Sequence, residues 1–247
     1  MTEPRDHYSY ALYADPAFAQ SFHARRFGGP IGALVADQQA RVLREALGNL
    51  DGRRVLDVGT GAGRAAMVMA QAGAVVTGID ASQEMLAIAR SRAAEANLDI
   101  TFTEGDAHRL QAADRSVDVA VCLRVIMHTP RWRQCVGELC RVASHGVLLD
   151  FPSATSAALF QSLARRVAAA CGARTEPYRV FTYGQVAAEL RAHGFVVRHV
   201  DRQFVLPIAA HKWMNSVRTT IRVERALTRL GLRRWCGSPV TVYAERG

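Results

Sequence analysis

The feature that most constrains the fold is an apolar stretch that leads directly into three closely spaced glycines. Residues 55–58 read Val-Leu-Asp-Val, and residues 59–63 read Gly-Thr-Gly-Ala-Gly. The apolar stretch predicts a buried strand, and the glycines predict a tight turn that lets the backbone approach a ligand closely. A helical pattern covers residues 62–72, and the first N–H groups of a helix are available to a ligand. The segment therefore predicts the strand, loop and helix of a parallel α/β sheet.

Strands and helices alternate through the first two thirds of the chain. Strands are predicted at residues 55–58, 74–80, 100–104, 117–123 and 147–151. Helices are predicted at residues 31–47, 62–72, 82–96 and 133–142. This alternation predicts an α/β fold, a Rossmann-like three-layer sandwich with helices on both faces of a mostly parallel sheet.

The last third of the chain has a different pattern. Helices are predicted at residues 155–170, 182–192 and 211–234, and strands at 195–205 and 239–244. The helix between these two late strands forms a late helical insertion, and the strands are expected to form a hairpin-like edge of the sheet.

Length and composition predict one domain. The chain has 247 residues, 49% of them hydrophobic, which is enough for one α/β core with insertions. We divide it into a helical lead-in and lid at 1–50, a cofactor-binding core at 51–152, and acceptor-side helices with the last two strands at 153–247. The lid prediction rests on Tyr8, Tyr13, Phe22, Arg25 and Arg26. A simple helical cap on the core is the alternative.

The sequence also bears on the compartment. The first ten residues contain no apolar signal core, and no apolar run approaches the ~20 residues that span a bilayer. We therefore expect a cytoplasmic protein. The five cysteines are odd in number and include no C-x-x-C pair, so we expect reduced thiols and no metal site.

Charged residues around the glycine loop narrow the ligand that it accepts. Asp57 precedes the glycines, where a carboxylate would repel a pyrophosphate but would attract an α-amino group. Arg64 stands where the dinucleotide fingerprint requires a small residue. Asp80 ends the next strand, where an acid can accept hydrogen bonds from both ribose hydroxyls. The alternative role of Asp80 is to cap the helix that begins near Ser82.

These motifs, taken in order, resemble the class I S-adenosylmethionine-dependent methyltransferases, and the type 11 group most closely. The resembling segments are residues 57–63, 78–82, 104–107 and 117–130. They follow the order of the family from about residue 50 to residue 151, whereas the flanks are only loosely similar. The resemblance implies a seven-stranded sheet with an antiparallel last strand, and S-adenosylmethionine (SAM) as the cofactor.

The resemblance also implies which residues bind SAM. They are Asp57, Gly59, Thr60, Gly61, Gly63, Asp80, Ala81, Met85, Asp106, Ala107, Leu123 and Arg124. Asp57 and the glycines would hold the methionine part of SAM, Asp80 would bind the ribose, and Met85 and Asp106 would contact the adenine. Leu123 and Arg124 would border the methionine end. Two alternatives stay open, namely Met85 as ordinary helix packing and Asp106 as a loop acid in an Asx-turn.

His128 is the candidate catalytic residue. The sulfonium of SAM already makes its methyl group electrophilic, so the protein has to position the acceptor and take up the proton of an acceptor hydroxyl. His128 follows the fourth strand at the carboxyl edge of the sheet, and histidine exchanges protons near neutral pH. The alternative is a histidine satisfied by the backbone that fixes the turn at residues 129–130. Arg124 is a candidate partner of a ligand carboxylate or an acidic substrate, or else a surface charge.

The predicted helix at 211–234 has a basic face. Its arginines are Arg218, Arg222, Arg225, Arg229 and Arg233. Steps of four, three, four and four place them on one side of a helix. Such a face, with Trp213 and Met214 as interfacial anchors, is typical of contact with an anionic membrane or a phosphate. The alternative is the exposed face of an insertion helix.

Nucleic acid is a disfavoured partner, although the net charge is +9. DNA amino-methyltransferases of this fold carry an Asn/Asp-Pro-Pro-aromatic motif after the fourth strand, whereas residues 123–127 read Leu-Arg-Val-Ile-Met. A small-molecule acceptor is expected instead, in the variable later segments. These segments contain Arg179, Phe181, Tyr183 and His211.

The sequence therefore predicts an enzyme that transfers a methyl group from SAM to a small-molecule acceptor, in the first place to an oxygen atom. An amphiphilic acceptor, such as a quinone precursor or a lipid-linked compound, is compatible with the basic face. An NAD(P)-dependent oxidoreductase is one alternative, against which Arg64 and Asp57 count. A non-catalytic SAM-binding module is the other, because this family has no obligatory catalytic residue.

Overall fold

The computed structural model describes residues 28–171 and 178–247. The strands of this part form one sheet. They are β1 (Arg54–Val58), β2 (Val75–Asp80), β3 (Ile100–Glu104), β4 (Val117–Cys122), β5 (Ala143–Phe151), β6 (Phe195–Phe204) and β7 (Ser238–Arg246). The strand order across the sheet is β3-β2-β1-β4-β5-β7-β6.

Most neighbouring strands are parallel. The pairs formed among β1 to β5 are all parallel, and β7 is antiparallel to its neighbours β5 and β6. This arrangement confirms the Rossmann-like α/β fold, the antiparallel last strand and the late strand pair. The strand order reverses between β1 and β4, and open α/β sheets bind ligands in the crevice at such a point, outside the carboxyl ends of the strands.

Helices cover the sheet. Those in the described residues are α1 (Gly29–Leu47), α2 (Arg64–Ala70), α3 (Gln83–Glu95), α4 (Trp132–Val142), α5 (Ala158–Ala170), α6 (Tyr183–Ala192), α7 (Ile208–Met214), α8 (Val217–Arg229) and α9 (Leu232–Cys236). Local signals set several of their starts. Pro30 lies in the first turn of α1, and Thr182 and Gln185 form a capping box at the start of α6.

Apolar side chains fill the space between the helices and the sheet. One cluster contains Trp132, Phe151 and Phe181, whose rings meet edge to face with centroids 5.1 Å and 6.0 Å apart. Met69 and Leu86 belong to a second cluster. The last four residues of β4 are buried, as expected for a strand that is covered on both faces. These two clusters hold the carboxyl edge of the sheet in place.

The late helical segment differs from the single helix predicted at 211–234. It consists of α7, α8 and α9, with breaks at Asn215 (φ +46°) and Gly231 (φ +77°). Ser216 then caps α8 through its side chain. The prediction is therefore wrong for Arg233, which lies on α9. The arginines that share α8 are Arg218, Arg222, Arg225 and Arg229.

Part of the lead-in predicted at 1–50 lies outside the described residues. The lid residues Tyr8, Tyr13, Phe22, Arg25 and Arg26 all fall there. The described part of the lead-in is mainly α1, which packs on α2, β6 and β7. No helix in the described ranges is both long enough and apolar enough to cross a membrane.

Candidate active site

The loop after β1 is folded onto the end of β2. The N–H groups of Gly59 and Thr60 donate to the Ile79 carbonyl at 2.7 and 2.9 Å. The N–H of Gly61 donates to Asp80 Oδ2 at 2.7 Å. These bonds hold the glycine loop, which follows β1 directly, against the end of the neighbouring strand β2.

The backbone of this loop requires glycine. Gly59, Gly61 and Gly63 have φ values of +72°, +54° and +75°, a region that other residues rarely adopt. A Cβ on Gly59 would lie 2.2 Å from a methyl group of Val125. A side chain is therefore excluded there by both conformation and space, which leaves the loop backbone close to the neighbouring strand end.

Asp57 lies near the end of β1 and is 1% exposed. Its Oδ2 accepts a hydrogen bond from the Thr60 hydroxyl at 2.7 Å. Burial raises the pKa of Asp57 to about 6, although the bond from Thr60 and the charge of Arg64 act in the opposite direction. Asp57 is therefore mainly ionised at neutral pH, and a nearby ammonium group would stabilise it. This fits the role that the family resemblance implies.

Arg64 is a largely enclosed cation that the sequence does not assign to the site. Its guanidinium donates to the side chain of Gln39 on α1. Burial lowers the pKa of Arg64 to about 10, whereas the charges of Asp57 and Asp150 favour its protonated form. Arg64 therefore stays charged at neutral pH, connects α1 to the glycine loop and offsets the charge of two buried acids.

Asp80 serves both the glycine loop and the start of α3. Besides its bond with Gly61, it accepts the Ser82 N–H through Oδ1 at 3.0 Å. Burial raises the pKa of Asp80, and these backbone N–H groups partly offset that effect. A carboxylate offers about four acceptor positions, so Asp80 retains capacity for ribose hydroxyls. Asp80 thus supports the helix start, and its contact with the ribose stays a prediction. Ala81, the next residue of the predicted SAM site, is exposed.

The residues predicted at the adenine lie on α3 and after β3. Met85 is buried, and its methyl group would lie 3.3 Å from a Cβ on Gly61, so it packs on the glycine loop. Asp106 Oδ1 accepts the His108 N–H at 2.8 Å, which forms an Asx-turn, and lies 2.7 Å from His108 Nδ1. Ala107 is half-buried. Met85 therefore packs as the first alternative predicts, and Asp106 forms the Asx-turn of the second. Contact of either residue with adenine stays a prediction.

Leu123 and Arg124 follow β4 directly. Leu123 is buried, whereas Arg124 has a left-handed backbone with φ +64°. Asp150 near the end of β5 holds that conformation, because its Oδ1 accepts the Arg124 N–H and its Oδ2 lies 3.9 Å from Arg124 Nη1. Sequence reasoning missed Asp150, although an acid within an otherwise apolar strand is a usable signal.

A pocket of about 410 Å³ adjoins the Arg124–Asp150 pair. His128 lines it and is buried, and its backbone N–H donates to the Val125 carbonyl at 2.8 Å in a tight turn. Other lining residues are Gln39, Met127, Tyr178, Phe204, Leu206 and Lys212. The structure thus brings the candidate base and Arg124 to one pocket next to the glycine-loop edge of the sheet.

The later segments reach this pocket through other residues than those expected. Phe181 packs in the core, and His211 is buried with its Nε2 3.0 Å from Glu224 Oε1. Tyr178 and Lys212, which lie close to them in the sequence, line the pocket instead. Neighbouring residues of a helix or an extended segment point in different directions. A segment can therefore be predicted correctly at the pocket while the side chain that lines the pocket is a different one from the one predicted. Arg179 and Tyr183 do not line the pocket either.

Within residues 28–171 and 178–247, no group of three or more His, Cys, Asp or Glu side chains is placed to hold a metal ion.

Residues 55–146 match the family model described as a methyltransferase domain. This part of the chain is therefore similar to a methyltransferase domain. The matched range runs from β1 into β5, so it includes the glycine loop, Asp80 and His128. The match confirms the resemblance found in the sequence.

Curated proteins that are similar to this chain carry the name ubiquinone biosynthesis O-methyltransferase. The protein of Alkalilimnicola ehrlichii is 37% identical over 103 residues, which cover 41% of this chain and 42% of the relative. That of Azoarcus sp. is 33% identical over 146 residues, which cover 56% of this chain and 62% of the relative. The chain thus spans about two fifths to three fifths of the length of these two relatives.

Solved structures share the fold over almost the whole chain. Magnesium protoporphyrin IX methyltransferase from Synechocystis PCC 6803, solved with bound S-adenosylhomocysteine (SAH), superposes with a TM-score of 0.67. The alignment covers 97% of this chain and 98% of that one at 20% sequence identity. At this identity, the likeness establishes the fold.

Proposed function

We propose that this protein transfers a methyl group from SAM to an oxygen atom of a small-molecule acceptor. The observation that carries the proposal is the position of Arg124, which lies beside the glycine-loop edge and lines the pocket that contains His128. A cofactor at the loop and an acceptor in the pocket would therefore be neighbours. The relatives named O-methyltransferases support oxygen as the methylated atom.

Each residue has a separate task in this proposal. Bound SAM supplies an electrophilic methyl group on a sulfonium centre. The Asp57 carboxylate attracts the α-amino group, and Asp80 accepts hydrogen bonds from the ribose hydroxyls. The Arg124–Asp150 pair fixes the wall between the two sites, so the acceptor is held in one orientation. His128 takes up the proton of the acceptor hydroxyl.

The acceptor that we propose is an aromatic, quinone-like compound. Apolar side chains make up much of the pocket wall, and they include Met127, Phe204 and Leu206. A flat ring packs well against such side chains. The names of the curated relatives point to the same class of compound.

The substitution His128→Asn is expected to lower kcat for methyl transfer to a catechol by about 100-fold or more, because a general base contributes about 10²- to 10⁴-fold. Asparagine keeps a polar side chain of similar size but cannot take up the proton. Release of SAH from SAM, measured with a panel of catechols, checks this result. The affinity for SAH, measured by calorimetry, is expected to change by less than about threefold.

His145→Asn is the matched control. His145 is a half-exposed histidine near the start of β5, at the opposite end of that strand from the candidate site. Its kcat is expected to equal that of the wild type. A His128→Asn protein with a kcat within about threefold of the wild type would remove the histidine from the mechanism. Tight binding of SAH without turnover of any acceptor would favour the non-catalytic module.

We also propose that α8 contacts anionic membrane surfaces. Its exposed arginines are Arg218, Arg222, Arg225 and Arg229. Trp213 at the end of α7 is 87% exposed and suits an interfacial anchor. Flotation with phosphatidylglycerol vesicles is expected to capture the protein, and Arg222→Gln with Arg225→Gln to reduce capture about tenfold. The pair Arg109→Gln with Arg198→Gln is the control, and equal capture by neutral phosphatidylcholine vesicles would contradict the contact.

A further inference from the structure

We propose that a second pocket, formed by α1, β6, α8 and α9, binds a phosphate group with Arg225, Arg229 and Arg233. This pocket, which we call the α8–α9 pocket, has a volume of about 310 Å³. Arg225 and Arg229 line it from α8, and Arg233 lines it from α9. The proposal goes beyond methyl transfer and does not depend on it, because none of these arginines lines the acceptor pocket.

The three arginines reach the α8–α9 pocket from two separate helices. Arg225 and Arg229 are four residues apart on α8, so they lie on one face of that helix. The helix ends before Gly231, whose backbone is left-handed with φ +77°, and α9 begins after it. Arg233 belongs to this second helix and still lines the same pocket. The cations therefore border a concave site and do not simply cover one exposed helix face.

Close packing fixes the backbone that carries Arg233. A Cβ on Gly237 would lie 2.5 Å from the Arg233 carbonyl oxygen and 2.7 Å from Arg202 Cβ, so α9 lies against β6 at a distance that only glycine allows. The Gly237 N–H donates to the same Arg233 carbonyl at 3.0 Å. The short helix α9 is thus held at the pocket by its own C-terminal end.

The α8–α9 pocket has an excess of positive charge. Among its described lining residues, Glu224 is the ionisable side chain besides the three arginines. Glu224 accepts the N–H groups of Val205 and Leu206 at 2.9 and 3.0 Å and lies 3.0 Å from His211 Nε2. Burial would raise the pKa of Glu224, but these hydrogen bonds outweigh it and lower the pKa below its ordinary value. The one carboxylate at the pocket is therefore engaged by groups other than the arginines.

The three guanidinium groups are available to a ligand. Arg225 and Arg229 are exposed, and Arg233 is half-buried. Within residues 28–171 and 178–247, none of the three guanidinium groups donates a hydrogen bond, forms an ion pair or stacks on a ring. Guanidinium groups bind phosphate oxygens through paired, charge-assisted hydrogen bonds, and a phosphate also offsets the repulsion among cations at one site.

Neutral donors border the same pocket. Thr220 is 1% exposed, and its Oγ1 has no hydrogen-bond partner within the described part of the chain, although buried hydroxyls normally have one. Gln38 accepts a hydrogen bond from Arg41 Nε through its Oε1 at 3.4 Å, which leaves its amide nitrogen as a donor. The α8–α9 pocket therefore combines three cations with spare neutral donors, a combination that suits the acceptor oxygens of a phosphate.

The test is calorimetric titration of inorganic pyrophosphate into the full chain, at a constant ionic strength set with sodium chloride. The wild type is expected to bind, and Arg229→Gln with Arg233→Gln is expected to weaken binding by about tenfold or more, because charge-assisted hydrogen bonds are lost. Arg218→Gln with Arg222→Gln is the matched control, since both arginines belong to α8 but do not line the pocket. This control is expected to change the affinity by less than about threefold, because exposed charges away from the ligand are screened by salt.

Thermal unfolding gives a second readout that separates lost binding from misfolding. Both double variants are expected to unfold at the wild-type Tm without ligand. Pyrophosphate is expected to raise the Tm of the wild type and of the control pair, but not that of Arg229→Gln with Arg233→Gln. A wild type that shows neither heat of binding nor a shift in Tm would overturn the proposal. Equal weakening by the control pair would also overturn it, because the basic surface would then bind without the pocket.

Vesicle flotation at the same ionic strength distinguishes a soluble phosphate compound from a lipid headgroup as the source of the phosphate. If the pocket takes a lipid headgroup, saturating pyrophosphate is expected to reduce capture by phosphatidylglycerol vesicles about tenfold, and Arg229→Gln with Arg233→Gln is expected to do the same. If it takes a soluble phosphate compound, pyrophosphate is expected to leave the capture unchanged. Both results support a phosphate site when the calorimetric loss is present, and neither bears on methyl transfer.

Discussion

The substitution Asp80→Ala is expected to weaken SAH binding by about 100- to 1,000-fold. In the proposed SAM site it removes the acceptors for both ribose hydroxyls, and hydrogen bonds to a charged group contribute about 1.5–3 kcal/mol each. It also removes the bonds that Asp80 accepts from the Gly61 and Ser82 N–H groups. Part of the lost affinity is therefore expected to come from a less ordered glycine loop.

Isothermal titration calorimetry with SAH, and separately with NAD, checks this result. Asp80→Asn separates the two contributions, because an amide oxygen still accepts one backbone bond but lacks the charge. Glu95→Ala removes an exposed carboxylate at the end of α3 and is expected to leave the affinity for SAH unchanged. A folded Asp80→Ala protein with wild-type affinity for SAH would contradict the site. Binding of NAD in place of SAH would favour the oxidoreductase.

The central part of the sheet could be predicted because its signals are local. β3 matches the strand predicted at 100–104, and β4 matches a nearly unbroken apolar run, which is typical of a strand covered on both faces. The glycine loop is equally local, since the positive φ values at Gly59 and Gly61 demand glycine wherever such a turn occurs. The acids beside it could be found for the same reason.

The order of the strands is not a local property. β7 pairs Val240 with Phe151, residues that lie almost ninety positions apart, and no periodicity within either strand specifies that pairing. The family resemblance supplied the antiparallel last strand instead. The resemblance could do this because it covers the strands from β1 to β5, which fix the rest of the topology.

The acceptor pocket depends on contacts that form only in three dimensions. Arg165 and Lys212 meet at one pocket from different helices, and neither has a motif around it. The late helix was mispredicted for a related reason. The arginine spacing continues with helical period across Gly231, so the pattern conceals the break before α9.

The substitution Asp57→Asn is expected to raise the free energy of unfolding of the ligand-free protein by about 3 kcal/mol at neutral pH, because a pKa raised from 3.8 to about 6 corresponds to a destabilised carboxylate. Asparagine has the same shape and still accepts the Thr60 hydroxyl bond. The same change is expected to weaken SAH binding by about tenfold or more, since in the proposed SAM site the α-amino group loses its counter-charge. Stability and cofactor affinity therefore move in opposite directions at Asp57.

The pH dependence gives this prediction its sign. The unfolded chain releases the Asp57 proton near pH 3.8, whereas the folded protein keeps it to about pH 6. Between these values the folded state binds the extra proton, so the wild type loses stability as the pH rises, and the gap to Asp57→Asn opens over that window. Urea unfolding at a series of pH values measures the gap.

Asp118→Asn is the control of opposite sign. A backbone hydrogen bond from Arg54 lowers the pKa of Asp118, and its carboxylate therefore stabilises the fold at neutral pH. A gap for Asp57→Asn that is absent at neutral pH, or that closes as the pH rises, would show that the buried carboxylate is not destabilised in the ligand-free protein.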